Sequence, residues 1–326
     1  MIDAPAVLQP RRLAAPRRWK ASGLLITTAV AAVIGATTLT YPSAASWVSS
    51  LNQSQVVEHY QGSVDHAEPS AAEQLAAADR YNGALSSGAE VEANTRKPIG
   101  AGSATGDLGD YPSQLETPTG VVSRIQIPKV GVDLPVYHGT SDAVLLKGAG
   151  HLEGTSLPVG GDGTLTVITG HRGLAEATMF TNLDQLKAGD TFVITTFGRV
   201  LTYRVFDTRV VEPSDTASLH PKAGRDLATL ITCTPLGTNS HRILVTGERV
   251  MPTPKSDVDA SRSGPAAVTF PWWLVLYLGG LAIIGVYVWW GGRSRRSQMP
   301  AAKRDSAHDS APRRRISRLS QPSEER

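Results

Sequence analysis

The chain has 326 residues, 41% of them hydrophobic and 19% charged, which suits one folded domain with accessory segments better than two full domains. Its formal net charge is +3, but residues 1–22 hold five Lys/Arg against one acid and residues 291–326 hold ten against four, so the middle of the chain is acidic. That distribution argues against a nucleic-acid partner, which needs a basic face on the folded domain.

In chain order, the basic tail 1–22 leads into GLLITTAVAAVIGATTL at 23–39, uncharged and preceded by Arg17-Arg18-Trp19-Lys20. We expect it to be a retained N-terminal transmembrane segment, placed at 23–48; a cleaved signal peptide is the alternative, because Tyr41-Pro42-Ser43-Ala44-Ala45 offers small residues at a plausible cleavage point. Apolar residues Val56, Val57 and Tyr60, then Leu75, Ala76, Tyr81 and Leu85, recur at helical spacing and predict two helices, 51–65 and 70–86, separated by Pro69. Residues 86–119 are rich in Gly, Ser, Thr and Pro and predict a long loop that could form a lid. From Val121 the pattern changes to short β-rich runs at 121–127, 132–136, 164–169, 191–196, 200–205, 209–211, 228–232 and 242–250, divided by turn residues. They predict a mainly β fold, a closed eight-stranded barrel at 120–252, with a short helix at 179–186. A tether without apolar period follows at 253–269. FPWWLVLYLGGLAIIGVYVWW at 270–290 has 21 uncharged residues with paired tryptophans at both ends, and predicts a transmembrane helix about 32 Å long with aromatic belts at both interfaces. The tail 291–326 is polar, basic and expected to be disordered. Basic residues outside both apolar segments place both termini in the cytoplasm and the segment between the spans, 49–119 and the barrel included, outside the cell membrane.

Cys233 is the single cysteine. Outside the cytoplasm a lone cysteine is buried and inert, paired with another chain, or a reactive thiol. It ends the apolar run Leu227-Ala228-Thr229-Leu230-Ile231-Thr232 and precedes Thr234-Pro235-Leu236-Gly237, which would set it at the mouth of a barrel. A free thiol with its usual pKa near 8.5 is only about 3% thiolate at pH 7, so a nucleophilic cysteine needs a histidine and a fixed cation nearby. His171, at the end of another strand-like run, and Arg242, nine residues past Cys233, are candidates. His138, His151, His220 and His241 compete with the first, and Arg172 and Arg249 with the second. Spacing alone does not choose among them.

Thr229-Leu230-Ile231-Thr232-Cys233 resembles the TLxTC signature of sortases, and Thr169-Gly170-His171-Arg172-Gly173-Leu174 is similar to the segment carrying their essential histidine. The likeness spans about 107–250 and includes motifs of the pilus-assembling class C branch: Ile125-Gln126-Ile127-Pro128-Lys129-Val130, Leu134-Pro135-Val136-Tyr137-His138-Gly139-Thr140, Gly148-Ala149-Gly150-His151-Leu152 and Cys233-Thr234-Pro235-Leu236-Gly237-Thr238-Asn239. The resemblance implies a cysteine transpeptidase that cleaves an LPxTG-like sorting signal through a thioester and hands the acyl group to an amine. Its catalytic residues would be His171, Cys233 and Arg242, with Thr232 and Thr234 binding substrate, and no cofactor or metal. Implied partners are LPxTG-bearing surface proteins or pilins, an amine acceptor that is a pilin lysine or cell-wall peptide, and the membrane. A housekeeping wall-anchoring sortase, a hydrolytic cysteine peptidase and a catalytically silent peptide-binding module are the other readings. Class C sortases usually carry Asp-Pro and an aromatic residue in a lid before the barrel; this tripeptide is absent, and Asp110-Tyr111-Pro112 is the nearest composition.

Overall fold

The computed structural model describes residues 19, 21–85, 111–175, 177–215, 217–265 and 268–293. The expectations for the two basic tails and for most of the 86–119 loop, Asp110 included, lie outside them. Eight strands form a closed barrel: β1 (Val121–Ile127), β2 (Val132–His138), β3 (Ala149–His151), β4 (Thr164–Thr169), β5 (Thr191–Thr196), β6 (Arg199–Val211), β7 (Asp226–Thr234) and β8 (His241–Arg249), in the order β1-β2-β3-β4-β7-β8-β6-β5. The mainly β, eight-stranded expectation holds. The runs at 200–205 and 209–211 are one strand, β6, whose register against β8 shifts between Val205 and Asp207. A bulge of this kind breaks the alternation that a sequence reading follows. The expected helix at 179–186 is instead a turn and a single 3-10 turn, Leu183–Gln185. Asp142–Leu145 forms the short helix α3 between β2 and β3.

Alternation along the strands fills the interior with Ile125, Ile127, Leu134, Val136, Ile168, Phe192, Ile194, Tyr203, Leu230 and Val245, all buried. A second apolar cluster, Leu152, Leu165, Val167, Leu219, Leu227, Ile231 and Leu244, lies apart from this core. Along β7 its members alternate with Ala228 and Leu230 of the interior, so it belongs to the outer face of the sheet, covered in part by the β6–β7 connection.

The N-terminal half departs from expectation in one respect. The apolar segment and the first predicted helix are one helix, α1 (Gly23–Val64), 42 residues long and continuous through Pro42. It runs beside α5 (Trp272–Gly292): Trp47 meets Trp273 edge to face at 6.4 Å, Thr37 Oγ1 lies 3.0 Å from the Tyr277 hydroxyl, and Leu25 lies against Gly291. Both helices are long and apolar enough to cross a membrane. The second predicted helix is α2 (Ala71–Ala84), started by a reciprocal Ser70–Glu73 capping box.

Part of the expected tether is also ordered structure. α4 (Lys255–Arg262) docks on the barrel and on α1: Thr202 Oγ1 of β6 donates to Asp257, Gln61 Nε2 of α1 to the Ser261 carbonyl, and Arg124 Nη1 of β1 to the carbonyls of Ser261 and Ser263. Arg124 is 1% exposed and also makes a two-pronged pair with Asp133, at 2.7 and 2.6 Å.

Candidate active site

β4 and β7 are parallel neighbours, with Thr169 opposite Ile231. Beyond β4 the ladder continues by two further bonds, Gly170 N–H to the Ile231 carbonyl at 3.0 Å and Thr232 Oγ1 to the Gly170 carbonyl at 2.7 Å. His171 is thereby brought beside Cys233, 62 residues later in the chain. The β7–β8 hairpin then sets Arg242 opposite Cys233 in register, a pairing that puts their Cβ atoms about 5 Å apart on one face. Arg242 Nη1 donates to the carbonyls of Asn239 and His241, curling the hairpin loop around it.

Cys233, His171 and Arg242 line one groove of about 330 Å³. Leu152, Ile231 and Leu244 of the outer apolar cluster supply its floor, Leu145 and Leu219 its sides, and Asp142, Glu212 and Asp215 part of its rim. The groove is apolar along its floor, and Cys233 in it is half-buried. The apolar positions of α3 and of the β6–β7 connection were missed by sequence reading: a helix of four residues is too short to show a period, and Leu219 is a single Leu in a polar stretch.

Thr232 and Thr234 do not line the groove. Side chains alternate along a strand, so when Cys233 faces outward its two neighbours face the other way. Thr232 is fully buried and holds the end of β4 through Gly170. Thr234 Oγ1 accepts from Arg172 Nη1 at 2.7 Å. In this structure Thr232 positions the histidine segment and Thr234 anchors Arg172; substrate binding by the pair remains an expectation.

The competing basic residues have other partners. Arg172 is spent on Thr234, the Thr181 carbonyl and Asp184, bracing the His171 loop against the end of β7. Arg249 Nε lies 3.8 Å from Asp226 and its Nη2 donates to the Val200 carbonyl and to Thr253. Two glycines shape the loop. A Cβ on Gly170 would sit 2.7 Å from the Phe180 ring, and Gly173, with φ of 74°, would meet the Leu236 side chain.

His138 and His151 form a buried cluster with Tyr111. The Tyr111 hydroxyl lies 2.8 Å from His151 Nδ1 and accepts from Gly139 N–H, while His151 Nε2 lies 2.9 Å from the Ser156 carbonyl. Because a carbonyl only accepts, Nε2 carries the proton and Nδ1 accepts from Tyr111, which is the neutral tautomer. Burial lowers the His151 pKa to about 4, and burial also lowers that of His138. A buried neutral histidine of this kind contributes stability that is present above pH 6.5 and is lost as pH falls toward 4, since the unfolded chain takes up the proton first. Between pH 7 and 4.5 the loss expected from His151 is about 2–3 kcal/mol. Urea titrations at the two pH values check it: the fall should shrink by most of that amount in His151→Gln, and an undiminished fall would place its origin elsewhere.

The sortase domain model matches residues 125–250. Sortase D of Bacillus subtilis (strain 168) is 29% identical over 149 residues, 44% of this chain and 72% of that protein. The crystal structure of sortase C-1 from Actinomyces oris is 48% identical, superposes with a TM-score of 0.51 and covers 56% of this chain and 99% of its own. Streptococcus pneumoniae Sortase C is 36% identical, with a TM-score of 0.54 over 61% of this chain and 98% of its own. A closed eight-stranded barrel with a lone cysteine in its outer groove, similar at these levels to solved sortases over nearly their whole length, identifies the chain as a member of the sortase family of cysteine transpeptidases.

Proposed function

We propose that this sortase is of the pilus-assembling class C type, with residues 120–252 as its catalytic domain and Cys233, His171 and Arg242 as its reacting groups. The observation that carries the assignment of residues is the convergence of these three side chains in one groove. The Cys233 thiolate adds to the Thr–Gly carbonyl of an LPxTG-like signal, and Arg242 donates to the oxyanion, where a fixed charge acts more strongly as water is excluded. His171 protonates the departing glycine amine as the C–N bond breaks, leaving a thioester on Sγ. An incoming amine attacks the thioester, gives its proton to His171, and expels the thiolate. The Leu and Pro side chains of the signal suit the floor made by Leu152, Ile231 and Leu244.

Likeness to sortase C structures and the class C motifs around Pro135, Gly150 and Pro235 support a pilin lysine as the acceptor. Mass spectrometry of products formed from an LPxTG peptide with a lysine-bearing pilin segment, a cell-wall cross-bridge peptide, or water alone tests this. Transfer to lysine is expected; transfer only to the cross-bridge amine would make it a wall-anchoring enzyme, hydrolysis alone a peptidase, and no thioester a binding module. Both spans are retained in this reading, with both termini cytoplasmic and the barrel outside. Protease added to intact protoplasts should then spare both tails, and a mature protein beginning near residue 46 would overturn it.

A further inference from the structure

We propose that the catalytic end of the barrel faces the bilayer and is held a short, fixed distance above it, so that the groove meets peptides emerging from the same membrane. The inference rests on the reading of α1 and α5 as spans and of His171 and Cys233 as reacting groups.

Strand direction supplies the first argument. β1 ends and β2 begins at the turn through Gly131, which lines a space of about 620 Å³ together with Ser46, Trp47, Trp272 and Trp273. β1 is antiparallel to β2, β2 parallel to β3, β3 antiparallel to β4, and β4 parallel to β7. The C-terminal ends of β4 and β7, which carry His171 and Cys233, are therefore at the same end of the barrel as the Gly131 turn. That is the end toward the aromatic belt.

A chain of contacts supplies the second and sets the height. From Leu25, beside Gly291, to Trp47, beside Trp273, α1 advances 22 residues, or about 33 Å, close to the roughly 30 Å of a hydrocarbon core. These two contacts mark the two interfaces. Trp47 Nε1 donates to the Thr269 carbonyl at the start of the α5 approach, as expected of an interfacial ring. Six residues further along α1, about 9 Å higher, Gln53 Nε2 lies 3.4 Å from Met179 Sδ. Met179 is 3% exposed and held at a φ of 39°, in the left-handed region that side chains other than glycine avoid. The next residue, Phe180, donates its N–H to the His171 carbonyl at 2.9 Å. His171 is thus linked to the belt through two turns of helix, one side-chain contact and one backbone bond. The opposite end is higher: Tyr60, seven residues beyond Gln53, donates to the Val122 carbonyl at the start of β1 and accepts from Phe197 N–H past the end of β5.

α1 holds the barrel at both Gln53 and Tyr60, which sets that height. A scissile bond close to a substrate's own membrane segment falls at the level of the groove. One presented from the far side of the barrel must loop back toward the lipid.

The lone cysteine makes the test direct. The full-length enzyme is placed in phosphatidylcholine vesicles with a headgroup-labelled energy acceptor, and outward-facing Cys233 is labelled with a small membrane-impermeant donor dye. The far end is labelled in the same way through Asp162→Cys, with Cys233→Ala removing the native thiol; His66→Cys in the same background is the second far-end position. Energy transfer to the lipid is expected to be at least about twofold greater from Cys233 than from either far-end site, because a strand of six residues advances about 15 Å along a tilted barrel. Equal or weaker transfer from Cys233 would overturn the orientation. The readout needs no turnover, so failure of the orientation and failure of the catalytic assignment are separate results: the latter shows as absence of a thioester in Cys233 enzyme.

Discussion

Replacing Cys233 with alanine is expected to abolish thioester formation and to lower transfer by at least about a thousandfold, while leaving the barrel folded. The nucleophile forms the acyl-enzyme itself, so no neighbour can take over its bond, and groups that act as a unit lose nearly everything when one is removed. The fold should tolerate the change because Cys233 is only half-buried at the end of β7 and belongs to neither apolar cluster. Intact-protein mass spectra after incubation with an LPxTG peptide check the first point, and thermal unfolding checks the second. Persistent transfer by a folded alanine variant would remove Cys233 from the mechanism. Arg242→Lys separates charge from geometry in the same assay: Arg242 binds the Asn239 and His241 carbonyls through Nη1 alone, whereas Lys keeps the charge but has no second nitrogen to turn to the groove, so a large loss of turnover with little change in peptide binding is expected if the guanidinium acts on the oxyanion.

Arg124→Met is expected to destabilise the protein by about 3–5 kcal/mol, the usual cost of removing one partner from a buried pair. Asp133, 14% exposed in its side chain, would remain without its two-pronged donor, and the Ser263 carbonyl would lose its Arg124 bond. For a domain of this size that corresponds to a fall in melting temperature on the order of 10 °C. The comparison is Arg199→Ala, which breaks a pair with Asp79 whose side chains are 33% and 45% exposed and should cost less than about 1 kcal/mol. A second consequence is local: with Arg124 gone, the α4 region loses the bonds to the Ser261 and Ser263 carbonyls and keeps those of Thr202 and Gln61, and trypsin should cut more readily at Lys255 and Arg262. Restoring much of the stability with Arg124→Met combined with Asp133→Leu would assign the loss to the carboxylate that had faced Arg124 rather than to lost packing. Equal stabilities of Arg124→Met and Arg199→Ala would refute the clamp.

Most strands were legible because two forces that shape them are local. Alternation exposes a polar row and buries an apolar one, and turn residues such as Gly189-Asp190 and Gly198 end the runs. β3 was not legible: Ala149-Gly150-His151 has no β-branched residue and is a strand only because β2 and β4 pair with it on either side. α4 was read as part of a tether for a related reason. KSDVDASR has little apolar surface, and its helix is held by Thr202, Gln61 and Arg124, which lie between 55 and 200 residues from their partners in it.

The sequence by itself determined the two apolar spans, seven of the eight strands, and a single thiol at the end of a strand, since each depends on the types and spacing of nearby residues. Spacing also left five histidines and three arginines as candidates, among which only the resemblance to sortases chose His171 and Arg242. The tertiary structure sets those two in the groove of Cys233. Parallel pairing of β4 with β7 brings His171 to Cys233, and the hairpin register brings Arg242 opposite it, while His138 and His151 are drawn into a buried cluster with Tyr111 and Arg172 is spent on Asp184 and Thr234. The same pairing sets Thr232 and Thr234 on the side away from the groove, as the two-residue period of a strand requires. Register and strand order are properties of non-local hydrogen bonding and of burial on both faces of a closed sheet, and neither is written in any short stretch of the chain.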